Sequence, residues 1–160
     1  YDVGKTIAVS FVGQCYGNRS EIIRRLREQG IVVAAYGHGW PEGPLSTAEM
    51  VRMYSASRIN LGFGGISGHG SAYCLKGRDF EIPMSGGLYV TEYHPELEQI
   101  YAPDEIVMYR GFDDLLEKIR DLLAHPDEAE RIRKKGFARA RSSHTWEMRF
   151  DKIFRLIGLT

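Results

Sequence analysis

The sequence predicts an α/β fold: a doubly wound, Rossmann-like parallel sheet of about five strands with extra helices at the C-terminal end. Three observations carry this. Short apolar runs recur at Ile7 to Phe11, Ile31 to Tyr36, Ile59 to Phe63, Leu88 to Thr91 and Ile106 to Tyr109, the mark of strands covered on both faces. Amphipathic segments separate them, as crossovers between parallel strands require. After Tyr109 the strand-like runs cease and the chain reads as helix to its end.

Each element has its own signal. Asn18 followed by Glu21 has the spacing of a capping box, opening a helix whose apolar face carries Ile22, Ile23 and Leu26 and which Gly30 ends. The second strand breaks at Gly37-His38-Gly39-Trp40-Pro41, and Ser46 with Glu49 caps a helix running through Tyr54. Residues Gly62 to Gly70 form a glycine-rich loop. Its Gly62, Gly64 and Ser67 only approximate the dinucleotide fingerprint, and a flexible loop is an equal reading. Pro83 predicts a short or kinked helix near Asp79, and a short helical turn spans Pro95 to Ile100. Leu115, Leu116, Ile119, Leu122 and Leu123 share one helical face, His125-Pro126 interrupts, and a basic helix around Arg131 to Arg141 leads to an amphipathic one near Trp146 to Ile157.

Composition bounds the function. At 160 residues, 43% hydrophobic and 26% charged, the chain can bury one core, and residues 1–160 read as a single domain. Twenty-one basic residues balance twenty-one acidic ones, so neither nucleic acid nor an anionic membrane surface is an expected partner. No run has the length of a transmembrane helix, and no signal peptide is visible. Cys15 and Cys74 form neither a disulfide framework nor a zinc motif, which favours a reducing, cytoplasmic setting. The start at Tyr1 rather than Met, with a strand a few residues later, gives the expectation of a piece from a longer protein. The histidines lack metal-ligand spacing, so no metal or other cofactor is expected.

The richest stretch is Lys76 to Gly87, which runs into the fourth predicted strand. In such folds the segment before a strand borders the crevice at the carboxyl ends of the sheet, where ligands bind. Lys76 and Arg78 suit phosphate oxygens, one as a point charge and the other as a planar fork. Glu81, acceptor-only when ionised, suits a pair of ribose hydroxyls. Gly86 and Gly87 turn the chain into the strand and complete a candidate pocket for a nucleoside diphosphate. Gly13, after the first strand, offers backbone amides to a phosphate, and Trp40, after the second, offers a stacking face. The plain alternatives are surface cations at Lys76 and Arg78, a helix-surface pair between Glu81 and Arg78, an ordinary turn at Gly13 and a core or rim position for Trp40.

With these residues in view, the chain resembles the CgeB-like (spore maturation protein) members of the group 1 glycosyltransferases. The likeness rests on Arg78-Asp79-Phe80-Glu81-Ile82-Pro83 before Gly86-Gly87, on Thr91-Glu92 before Pro95-Glu96-Leu97-Glu98, on Phe11-Val12-Gly13 with Arg19, on Tyr36-Gly37-His38-Gly39-Trp40, on His125-Pro126 and on His144-Thr145-Trp146. It implies the C-terminal, donor-binding half of a GT-B fold, which holds a nucleotide-sugar donor without a metal. A hexosyltransferase-type enzyme is implied for the whole protein, with an N-terminal acceptor domain of the same chain as partner and the isolated domain inactive. By the same resemblance Glu81 holds the ribose and Arg78 and Lys76 the diphosphate. Relatives often carry another glutamate eight residues before the ribose one; Tyr73 stands there. The competing reading is a non-catalytic Rossmann-like binding or interaction module.

Overall fold

A computed structural model describes residues 3–66 and 69–159. The elements run β1 (Ile7–Val12), α1 (Arg19–Glu28), β2 (Val33–Tyr36), α2 (Thr47–Ala56), β3 (Ser57–Gly62), β4 (Gly65–Ile66) and β5 (His69–Tyr73). They continue with α3 (Arg78–Met84), β6 (Tyr89–Glu92), α4 (Pro95–Ile100), β7 (Val107–Tyr109), α5 (Gly111–Ala124), α6 (Pro126–Ser143) and α7 (Trp146–Leu156). Five strands form one sheet in the order β2-β1-β3-β6-β7, every pair parallel, as the apolar runs predict. The chain passes from β1 to β2 on one side and returns to β3 on the other. The topological switch therefore falls between β1 and β3, and the crevice opens at their carboxyl ends.

Both faces of the sheet are covered. Ile23 and Leu26 of α1 and Leu115, Ile119 and Leu122 of α5 pack with Val9, Phe11, Leu61 and Val90 in one buried layer. Tyr54 of α2, Phe80 and Ile82 of α3 and Leu97 of α4 join Tyr89, Tyr101 and Ile106 in another. Between α2 and the central strands the contact is polar. Ser57 Oγ donates to Ser10 Oγ (2.8 Å), Ser10 Oγ to Asn60 Oδ1 (3.0 Å) and Asn60 Nδ2 to the Tyr54 carbonyl (3.1 Å), all in the interior. Such a network is favourable only while every member is satisfied. Asn60→Ala strands Ser10 and the Tyr54 carbonyl, so we expect a loss of about 2 to 3 kcal/mol in urea unfolding. A change below about 0.5 kcal/mol would contradict that role.

Two local expectations are corrected. Asn18 has φ −89° and ψ 7°, already near helical, and makes no cap; Glu21 instead accepts from Arg24 Nε at 2.9 Å. The Ser46–Glu49 box does form, with Ser46 N donating to Glu49 Oε2 at 2.8 Å. The glycine-rich stretch after β3 is partly an antiparallel hairpin, in which β4 pairs with β5 through Ile66 and His69 and through Gly65 and Tyr73. Residues 67 and 68, within the predicted loop, lie outside the described residues.

The C-terminal helices sort by burial. α5 and α6 are seated by Leu115, Ile119, Leu122, Ile132 and Ala140, but no residue of α7 is buried. Trp146, Phe150 and Phe154 stack along α7, with ring centroids 5.9 and 6.1 Å apart, and all three are exposed. Among the described residues no helix is long and apolar enough to cross a membrane.

Candidate functional site

The crevice is built from the turns that leave β1, β2 and β3 and from the start of α3. Gly13 N donates to the Tyr36 carbonyl (2.8 Å), extending the β1–β2 pairing one residue beyond the strands. Its carbonyl accepts from Trp40 Nε1 at 2.8 Å. Trp40 thus spends its single donor on the turn it covers, and its ring meets Phe11 edge-on at 6.0 Å. It is a support for Gly13, with its indole partly buried. Gly37 makes this approach possible: its φ is +131°, and a Cβ there would overlap the Gly13 carbonyl.

Arg78, the first residue of α3, lays its guanidinium on that turn. A Cβ at Gly13 would fall 2.6 Å from Arg78 Nη2, so a side chain there would push the guanidinium off the turn. Arg78 Cζ lies 5.1 Å from the Phe11 ring centre, and Arg19 Cζ lies 5.6 Å from the same ring. Arg19 is 2% exposed, donating to the Gln14 carbonyl (2.8 Å) and Tyr16 Oη (2.6 Å) with its guanidinium 3.6 Å from the Tyr16 ring centre. Burial and the charge of Arg78 both hold the Arg19 pKa below the usual arginine value. Two like charges therefore converge at the switch point. Arg78 Nη1 is buried and has no acceptor among the described residues. A buried cationic donor left unpaired is costly, and an incoming anion removes that cost.

The remaining groups around α3 divide. Asp79, 3% exposed, accepts from Lys76 N (2.6 Å) and from Tyr89 Oη (2.6 Å), fixing the start of the helix. Burial pushes its carboxyl up, against the downward pull of those two donors. Lys76 Nζ donates to Cys74 Sγ at 2.8 Å, on the approach to the helix. The Glu81 carboxylate has no hydrogen bond or ion pair among the described residues and lies against Gly77, where a Cβ would meet Oε1 at 2.8 Å. Glu92, at the carboxyl end of β6, accepts from Gly64 N at 3.0 Å and from Gly65 N at 3.4 Å, so the amides of the glycine turn are already satisfied. No group of three His, Cys, Asp or Glu among the described residues is placed to hold a metal ion.

Gly86 and Gly87 do not belong to this crevice. They precede β6 and lie at the amino end of the parallel sheet, away from Arg78 and Gly13. Their glycine is structural: Gly86 has φ +76°, and a Cβ on Gly87 would press on Asn60 Nδ2 at 2.7 Å and the Tyr54 carbonyl at 2.9 Å. The structure brings Gly13, Trp40 and Arg78 together, adds Arg19 and leaves the glycine pair behind α3.

Comparison with known proteins gives the family and the fold. A glycosyl transferase-like family model matches residues 19–155, most of the chain. The chain belongs to that glycosyl transferase-like family. No curated protein matches it in sequence. Among solved structures, a sucrose-phosphate synthase from Thermosynechococcus elongatus is similar over 99% of this chain and 47% of that one, with a TM-score of 0.73 and 13% identity. An α1,3-fucosyltransferase solved with GDP-fucose covers 81% of this chain and 38% of its own, with a TM-score of 0.63 and 16% identity. AviGT4, a glycosyltransferase involved in avilamycin A biosynthesis, covers 98% and 53%, with a TM-score of 0.63 and 17% identity. These likenesses establish the fold, a Rossmann-like half of the GT-B glycosyltransferase architecture. This glycosyl transferase-like chain spans about half or less of the length of those structures.

Proposed function

We propose that this chain is the donor-binding domain of a CgeB-like, hexosyltransferase-type enzyme that takes its sugar from a nucleoside diphosphate. The single observation carrying the proposal is the buried Nη1 of Arg78, without a partner among the described residues, beside the Gly13 turn at the switch point. A diphosphate seated there would accept from Arg78 as a fork, with the Arg19 charge behind it. Preorganised cations of this kind stabilise the negative charge that gathers on the nucleotide as it leaves, so this domain needs no metal for the task. Glu81, with no partner among the described residues, takes the ribose hydroxyls, and Lys76 leaves Cys74 to reach the second phosphate. The GDP-fucose held by the α1,3-fucosyltransferase of like fold supports this class of donor. The acceptor and a catalytic base come from a second domain, and the two free cysteines favour the cytoplasm.

Calorimetric titration with uridine, guanosine, adenosine and thymidine diphosphates, each against its monophosphate and with and without magnesium, tests this. Saturable, magnesium-independent binding that prefers one diphosphate is the expected result. Silence across the panel would favour the non-catalytic module. Glu81→Ala should weaken diphosphate binding by about 1.5 to 3 kcal/mol, the scale of lost bonds to a charged group. That is roughly ten- to a hundredfold in affinity. An unchanged affinity in a folded mutant would take Glu81 out of the site.

A further inference from the structure

At the amino end of the sheet, opposite the donor crevice, lies a second concavity. It forms where His125 ends α5 and Pro126 starts α6 at a new angle, beside the start of β3. Its floor is apolar, made by Leu122 and Leu123 of α5 and by Pro126 and Ala129 of α6. Its charged lining is Lys5, Arg58, Arg133 and one carboxylate, Glu130. At about 230 Å³ it is half again as large as an apolar cavity of about 150 Å³ that holds benzene.

The lining charges differ in what they already do. Arg133 grips Glu130 through Nε and Nη2, each at 2.6 Å, and donates from Nη1 to the Gly86 carbonyl at 3.1 Å. Lys5 Nζ donates to the Ser55 carbonyl at 2.6 Å. Arg58 is exposed and makes no side-chain hydrogen bond or ion pair with any described residue. Glu130 being matched by Arg133, the charge that the exposed Arg58 adds to the lining is cationic, in the same concavity as the buried Leu122. A cationic group in an apolar concavity complements one kind of small molecule, a carboxylate carried on a short hydrocarbon body.

We propose that this concavity binds a small carboxylate amphiphile, its head at Arg58 and its apolar body on the Leu122–Leu123 floor. The site owes nothing to the donor reading, because no residue of the donor crevice lines it.

The test is a ¹⁵N NMR titration of the chain with hexanoate, against hexanol and hexylamine as neutral and cationic counterparts of similar size. Hexanoate should give saturable shifts centred on Arg58, Leu123 and Ala129, with a dissociation constant on the order of 1 mM, the range open to so few heavy atoms. Hexanol and hexylamine should bind about two- to fivefold more weakly, the scale of one exposed charge pair. Arg58→Glu, at an exposed position, should lower hexanoate affinity by at least the same factor and leave the rest of the spectrum in place. Ala129→Phe, which fills the floor, should abolish saturation. Shifts that stay linear to about ten times the stated constant, equal affinity for hexanol, or indifference to Arg58→Glu would each overturn the proposal. Should Ala129→Phe fail to fold, the Arg58 variant and the two counterparts still decide it.

Discussion

Arg78→Ala will lower the affinity for a nucleoside diphosphate by about 3 kcal/mol, roughly a hundredfold, and leave the bare nucleoside unaffected. The magnitude follows from what is removed. A guanidinium fork makes two charge-assisted bonds to a phosphate, each stronger than a neutral one. Among the described residues the fork has no other acceptor for Nη1, and it lies against a turn where a Cβ at Gly13 would displace it. Arg78→Lys should recover only part of the loss, since a point charge lacks the planar geometry. Calorimetry on the three proteins with diphosphate and nucleoside checks both statements. Equal losses for diphosphate and nucleoside would mean that the mutation damages the fold and that Arg78 does not read phosphate.

Gly37→Ala should be the most damaging small substitution in the chain, costing about 3 to 4 kcal/mol in urea unfolding. Two causes act together. Its φ of +131° is closed to a residue with a side chain, and the added Cβ would overlap the Gly13 carbonyl, which is backbone and cannot swing aside. Gly43→Ala separates the causes. Gly43 has φ +70° with open space where a methyl would go, so its cost should stay near 1 to 2 kcal/mol, about that of the left-handed conformation alone. Similar losses at the two positions would show that contact with the Gly13 turn adds nothing.

Much of the fold is legible in the sequence because buried parallel strands must be apolar on both faces. The runs at Ile7, Ile31, Ile59, Leu88 and Ile106 all become strands of the sheet. The β4–β5 hairpin is not legible: glycine supplies no side-chain alternation, and a pairing held by backbone alone leaves no pattern of types. Within the site, Arg78 and Gly13 can be read from charge and turn chemistry. Arg19 cannot be read from pattern alone, because an arginine opening an amphipathic helix looks like a solvated one, yet its guanidinium is buried against Tyr16. Gly86 and Gly87 mislead in the other direction. A glycine pair before a strand serves close packing as well as ligand approach, and only the direction of β6 tells which end of the sheet it occupies.

Among consecutive strands of the main sheet, β3 and β6 have the longest connection, and it carries Lys76, Arg78 and Glu81. Its hairpin lies outside the main sheet, and α3, seven residues long, is too short to hold itself together. In hydrogen-exchange terms, the amides of this excursion should open to solvent at lower free energy than those of β1 and β3. In folding terms, Lys76, Arg78 and Glu81 are set in place only once the chain has closed the longest single crossover of the sheet. On the proposed function, Arg78 and Glu81 thus sit on the less stable part of the site, while Gly13 and Arg19 belong to the turn and helix that follow β1. Sequence change in the β3–β6 connection can then alter what the proposed crevice accepts while the sheet beneath it keeps its strength.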